Sequence, residues 1–92
     1  RGIDIYNLES SSTIINNKES LIVSGSLINQ SNYMRIVPNV IVKIVGPDEK
    51  VIMQEIVVLN NEYFKTNEQI PFSTNFINYP KNANKVLIEI IP

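Results

Sequence analysis

The sequence predicts an all-β domain, a sandwich of six or seven short antiparallel strands around one modest core. Three observations point there. The apolar residues are mostly Ile and Val, whose branched Cβ suits a pleated strand, while the helix builders Leu and Ala are scarce. Nowhere do apolar positions recur at helical spacing over about eleven residues. Clusters of Gly, Pro, Asn, Asp and Ser interrupt the apolar runs about every ten residues, the rhythm of short strands and tight connections.

Individual strands are read from alternation. Ile3 to Leu8 alternates and makes a short first strand at a sheet edge, where Asp4 discourages edge pairing. Glu9 to Glu19 is polar and reads as a loop, with Thr13-Ile14-Ile15 adding at most a brief strand. Leu21 to Ser31 is the central strand, with Leu21, Val23, Gly25 and Leu27 on its core face. Glycine at Gly25 contributes no packing of its own, which predicts a bulky side chain from the opposing sheet lying over the backbone. Asn29-Gln30-Ser31-Asn32 ends the strand in a turn held by side-chain bonds to nearby backbone. The same residues match a glycosylation sequon, but the turn is the preferred reading.

Ile36 to Val45 is the third strand, with Val40, Val42 and Ile44 on one face, Ile36 and Pro38 in line ahead of them, and Pro38 at its start or beside a bulge. Gly46 to Lys50 is a turn with Pro47 at its first central position. Val51 to Leu59 returns to complete a hairpin. Its faces compete, and the even positions Ile52, Ile56 and Val58 are taken as inward, with a bulge near Gln54-Glu55. Asn60 to Asn67 is a connection whose Tyr63 and Phe64 fold back over the core. Gln69 to Ile77 carries Ile70, Phe72, Thr74 and Phe76 on one face, and Pro71 marks an edge or bulge. Lys85 to Ile91 is the last strand, with Val86, Ile88 and Ile90 aligned.

Composition bounds the function. The 92 residues make one domain, residues 1–92, with 43% hydrophobic and 18% charged content, ordinary for a folded chain. A net charge of −1 without a basic patch argues against capture of nucleic acid or of an acidic membrane. The chain has no Cys and no His, which removes disulfide and thiolate chemistry, the usual general base and the commonest neutral metal ligand. No apolar run is long enough to span a bilayer, since Lys43 interrupts the longest. Because it starts Arg1-Gly2, the chain reads as a fragment of a longer protein.

No catalytic, cofactor-binding or metal-ligating residues emerge. Asp48-Glu49 sits in a turn and Glu55 on a strand, without the facing partner a glycosidase pair needs or the repeated oxygens of a calcium loop. The glycines are isolated, so no phosphate loop is present, and no small-molecule substrate is expected. What remains is surface. Tyr33, Met34 and Arg35 follow the central strand and join an aromatic, a flexible thioether and a guanidinium, residue types that interfaces favour. Closing one end of the core is the expected role for Tyr33 or Met34 taken singly. The contact hypothesis requires at least one of the three to be exposed. Gly25, Asn29 and Pro38 are expected to be structural.

The order of features carries a resemblance. Val23-x-Gly25-x-Leu27-x-Asn29-x-Ser31 is followed by Pro38-x-Val40-x-Val42-x-Ile44, a turn, Val51-Ile52, a polar connection, Phe72 and Val86-x-Ile88-x-Ile90. This resembles the bacterial domain of unknown function DUF3426, an immunoglobulin- or fibronectin-like sandwich, and is similar to the FxLYD group of small extracytoplasmic sandwiches. It implies an immunoglobulin-like fold on the periplasmic face of the inner membrane. The parent would be membrane-anchored, with a zinc ribbon and a transmembrane helix outside this stretch. The family often has glycine before its fifth strand, where this chain has Asn67-Glu68, and Asn tolerates positive φ better than most residues. No activity comes with the resemblance. The expected function is a non-enzymatic accessory or interaction domain whose partner is a protein, a second copy of the domain being one candidate. The alternatives are a non-catalytic module or subunit of an enzyme whose active site lies elsewhere, or a structural module of a surface assembly.

Overall fold

A computed structural model describes residues 2–60 and 62–92. The chain is all-β, and the described residues contain no helix. Its strands are β1 (Ile3–Ile15), β2 (Lys18–Asn29), β3 (Arg35–Ile36), β4 (Asn39–Val45), β5 (Val51–Val57), β6 (Tyr63–Phe64), β7 (Gln69–Ile77) and β8 (Lys85–Ile91). They form three antiparallel sheets, ordered β1-β2-β7, β3-β6 and β5-β4-β8. Among the described residues six strands are long and two have only two residues, so the expected six or seven are matched by the long set and exceeded by the short pair.

The two three-stranded sheets supply one core. Val23 and Leu27 of β2 and Ile70, Phe72 and Phe76 of β7 meet Val40, Val42 and Ile44 of β4, with Phe64 closing one end. The period-two faces expected for β4, β7 and β8 are the faces observed, because β7 alternates throughout and β4 and β8 alternate up to their last residue.

Four elements differ from expectation. β1 does not stop at Leu8 but continues to Ile15. Asn16 and Asn17, at φ 51° and 64°, join it directly to β2. Two consecutive left-handed residues make the mirror-image turn whose twist matches that of its strands, and Asn is among the residues that tolerate it. The Ser10–Thr13 stretch shows no alternation because both of its faces are exposed. Along β1, Asn7 (φ 58°) and Leu8 together oppose Gly25, a two-against-one bulge that shifts the inward face from Ile3 and Ile5 to the even positions.

The expected third strand breaks at Val37-Pro38. Residues 35–36 pair with β6, and β4 starts at Asn39, directly after the buried Pro38. β5 faces the other way from expectation: Met53 and Val57 pack on the core, while Ile52, Ile56 and Val58 are exposed. Its bulge is at Ile52, next to the turn, and not near Gln54-Glu55. One extra residue there reverses every side chain beyond it. Gly25 is covered from a different direction than expected. Phe72 lies on β7, the neighbouring strand of the same sheet, directly opposite Gly25. A Cβ built on Gly25 would meet Phe72 Cζ at 3.0 Å and Leu8 Cδ1 at 3.4 Å.

The connections follow their turn chemistry. Gly46 to Glu49 closes with a Glu49 N–H to Gly46 O bond of 3.2 Å, with Pro47 at the first central position as expected. Asn67 is left-handed at φ 66°, two residues ahead of β7. Asn61, part of the expected 60–67 connection, lies outside the described residues.

Candidate functional site

The loop after β2 is built on a buried polar node. Asn29 is fully buried, and its amide uses all four hydrogen-bonding positions. Nδ2 donates to the Phe64 carbonyl at 2.7 Å and the Tyr33 carbonyl at 3.0 Å. Oδ1 accepts from Ser31 N–H at 3.0 Å and from Ser31 Oγ at 2.6 Å. The Asn29 carbonyl takes a further bond from Asn67 N–H at 2.7 Å. One residue therefore ties together the loop and β6 through its side chain and the turn into β7 through its backbone carbonyl. In the folded chain Nδ2 is not open to modification, so the turn reading of Asn29-Gln30-Ser31 is the one the fold adopts.

Above this node the loop faces outward. Tyr33 is 60% exposed and Met34 is 55% exposed. The core-closing role expected for either residue is not what the fold uses; Phe64 fills that place and is fully buried. Tyr63, its neighbour, points out, contrary to the expectation that both would cover the core. Arg35 is half-buried and holds the loop's shape: Nε donates to Ser31 Oγ at 3.0 Å and Nη2 to the Tyr33 hydroxyl at 2.8 Å. Its guanidinium also lies 4.7 Å from the Tyr33 ring centroid, within cation–π range. The aromatic ring is thus braced in an outward position rather than left free.

Sequence reasoning missed two members of this surface. Ile36 is 79% exposed, and it pairs directly with the exposed Tyr63 across the β3–β6 ladder. Two-residue strands leave no alternation to read, so only the Val37-Pro38 break signalled that Ile36 leaves the core register. Beside the loop lies an apolar groove of about 620 Å³ floored by Ile3, Val37, Pro38 and Ile90 and walled by Tyr33 to Ile36. Gly25 and Pro38, expected to be structural, sit under Phe72 and at the strand break respectively.

Elsewhere the chemistry is sparse. Among the described residues no three Asp or Glu side chains cluster as a metal site would require. Lys81 pairs with Glu19, and this hydrogen bond is the main cause that holds its pKa above the ordinary 10.5. A second groove of about 400 Å³ lies at the other end of the molecule, lined by Leu8 and Ser10 of β1, Leu21 and Val23 of β2, and Tyr79 and Val86. Comparison with family models, with curated proteins and with solved structures finds no match to this chain.

Proposed function

We propose that this chain is a non-enzymatic interaction domain that binds a protein partner through the Tyr33–Ile36 surface. The observation that carries it is the exposed, braced Tyr33 beside exposed Met34 and Ile36, mounted on a fully satisfied buried amide. Contiguous apolar exposure of this kind marks contact sites, and rigid aromatic anchors lose little entropy on binding. The partner presents an apolar surface to fill the groove beside the loop.

The same reading takes the fold as an immunoglobulin-like sandwich. Sheet orders β1-β2-β7 and β5-β4-β8 correspond to the A-B-E and C′-C-F strands of that arrangement. The resemblance to DUF3426 supports an extracytoplasmic setting and a membrane-anchored parent, and the left-handed φ of Asn67, where that family often has glycine, is in keeping with it. Fractionation of the full-length protein, with protease access to this domain in spheroplasts, tests the setting.

The contact is tested by placing a photo-crosslinking residue at Met34 and, as a control, at Lys18. Discrete protein adducts are expected from position 34 alone. They are expected to vanish when the neighbouring Tyr33, Arg35 and Ile36 are all replaced by Ser, with the crosslinking residue kept at position 34, while the urea midpoint stays near the parent value. Equal adducts from both positions, or none from position 34, would overturn the reading. A large loss of stability in the triple variant would show that the loop serves the core.

A further inference from the structure

The four edges of the two three-stranded sheets are not equivalent. β1 is bulged at Asn7-Leu8, β7 carries Pro71, and β5 is bulged at Ile52, three devices that blunt an edge against pairing. β8 has none of them. It runs in unbroken register with β4 from Lys85 to Ile91 and, among the described residues, pairs with no other strand. Its inward residues Val86, Ile88 and Ile90 are only partly buried, although they pack against the core cluster. The side of the molecule between β8 and β1 is also where both grooves open.

The charges on this edge are self-complementary. Lys85, Leu87 and Glu89 share the outward face of β8. If a second β8 is laid antiparallel with Leu87 against Leu87, then Lys85 of each strand falls opposite Glu89 of the other, and Val86 falls opposite Ile88. Directly opposed residues share a face in an antiparallel ladder, so the apolar row stays inward and the ionic row outward. Each charge already has a partner within its own chain: Lys85 lies 2.7 Å from Glu49, and Lys43 lies 2.6 Å from Glu89. Pairing two edges would join these into alternating chains, Glu49–Lys85–Glu89–Lys43, running across the contact. A lone lysine on an edge repels a second copy, whereas a lysine and a glutamate four residues apart about a central leucine accept one. We propose that this chain forms a symmetric dimer by antiparallel pairing of β8 with β8 of a second copy. The result is a continuous six-stranded sheet, β5-β4-β8-β8-β4-β5.

The test is a charge swap read by sedimentation equilibrium, with thermal melts as the folding control. The parent chain is expected to dimerise at concentrations up to roughly 100 µM, the weak regime of a small interface. Lys85→Glu sets two carboxylates against each other across the paired edges, and Glu89→Lys does the same with two ammonium groups. Each variant alone is expected to dimerise at least about tenfold more weakly, since like charges in direct opposition are strongly disfavoured. An equimolar mixture of the two restores opposite charges across the contact and is expected to recover association as a heterodimer. The double variant Lys85→Glu/Glu89→Lys is expected to recover it as a homodimer, and this variant keeps the proposal testable should a single variant fold poorly. A parent chain that stays monomeric throughout the range overturns the proposal. So does a dimer indifferent to both single variants, or one that neither the mixture nor the double variant restores. A dimer lost in the Tyr33/Met34/Arg35 triple-Ser variant instead would place association at the loop and overturn the edge pairing. The edge proposal does not depend on the loop's function, and the two fail separately.

Discussion

At Gly25 a single missing side chain decides how β2 and β7 fit. Phe72 occupies the space a Cβ would need, at 3.0 Å, and Leu8 closes it from β1 at 3.4 Å. Gly25→Val is expected to cost about 1–3 kcal/mol through overpacking, measured as a lower urea midpoint. The cost should shrink in a Phe72→Leu background, because the two positions share one volume. An unchanged midpoint for Gly25→Val would show that Phe72 moves aside freely. At Asn29 the logic is polar. Removing its amide strands the buried carbonyl of Phe64 and the N–H of Ser31, so Asn29→Ala is expected to cost about 2–4 kcal/mol. An equal cost for Ser31→Ala would show that the hydroxyl, and not the amide, organises the loop.

At the level of strands and turns, the sequence was readable wherever alternation was clean. β7 and β8 have the bounds expected for them, and β4 shows the inward face its Val and Ile pattern predicts. Reading failed where a bulge reversed the pattern or where both faces met water. In β5 apolar residues occupy both faces, and the single extra residue at Ile52 selects which set points inward. A changed midpoint should follow: Val57→Thr, on the core face, is expected to lower stability by about 1 kcal/mol or more, while Ile56→Thr stays within about 0.5 kcal/mol. The reverse ranking would restore the expected face. The distal half of β1 was missed because Ser10 to Thr13 carries no buried row. The Asn16-Asn17 turn was the one signal there that could have found it. Since Asn-Gly is the preferred pair for this turn, Asn17→Gly is expected to raise the denaturation midpoint slightly, by a few tenths to about 1 kcal/mol. The Lys81–Glu19 pair braces the same hairpin against the 78–84 connection. Raising the lysine's pKa means the folded form holds its proton more tightly. Its small contribution is therefore complete at neutral pH and is lost as pH rises through the raised value, above 10.5. The candidate surface was legible as a trio of residue types. Its exposure was not, since whether Tyr33 or Phe64 fills the core end depends on contacts between segments far apart in the chain.

Across the whole molecule, the long β1–β2 ribbon sets the shape. Thirteen residues of β1 at about 3.3 Å each account for the 43 Å long axis. β7 pairs with β2 as far as Ser20, and Asn78 N–H adds one bond to the Glu19 carbonyl, so the tip from Ile14 to Lys18 projects as two strands only. Amide exchange is expected to be slowest in β2 and β4, each flanked on both sides, and fastest at that tip. Equally slow exchange at the tip would mean that something covers it. The tip and the Asn29 node terminate the same strand, so the molecule has two chemically opposite poles about 40 Å apart. One pole is mostly polar, with Asn16, Asn17, Lys18 and Glu19 beside a single strongly exposed Ile14; the other is mostly aromatic and aliphatic, with Tyr33, Met34 and Ile36 exposed. Because the chain contains no cysteine, one thiol introduced at Lys18 would be a unique handle on the polar pole. Anchoring the protein there leaves the whole aromatic pole presented to solution.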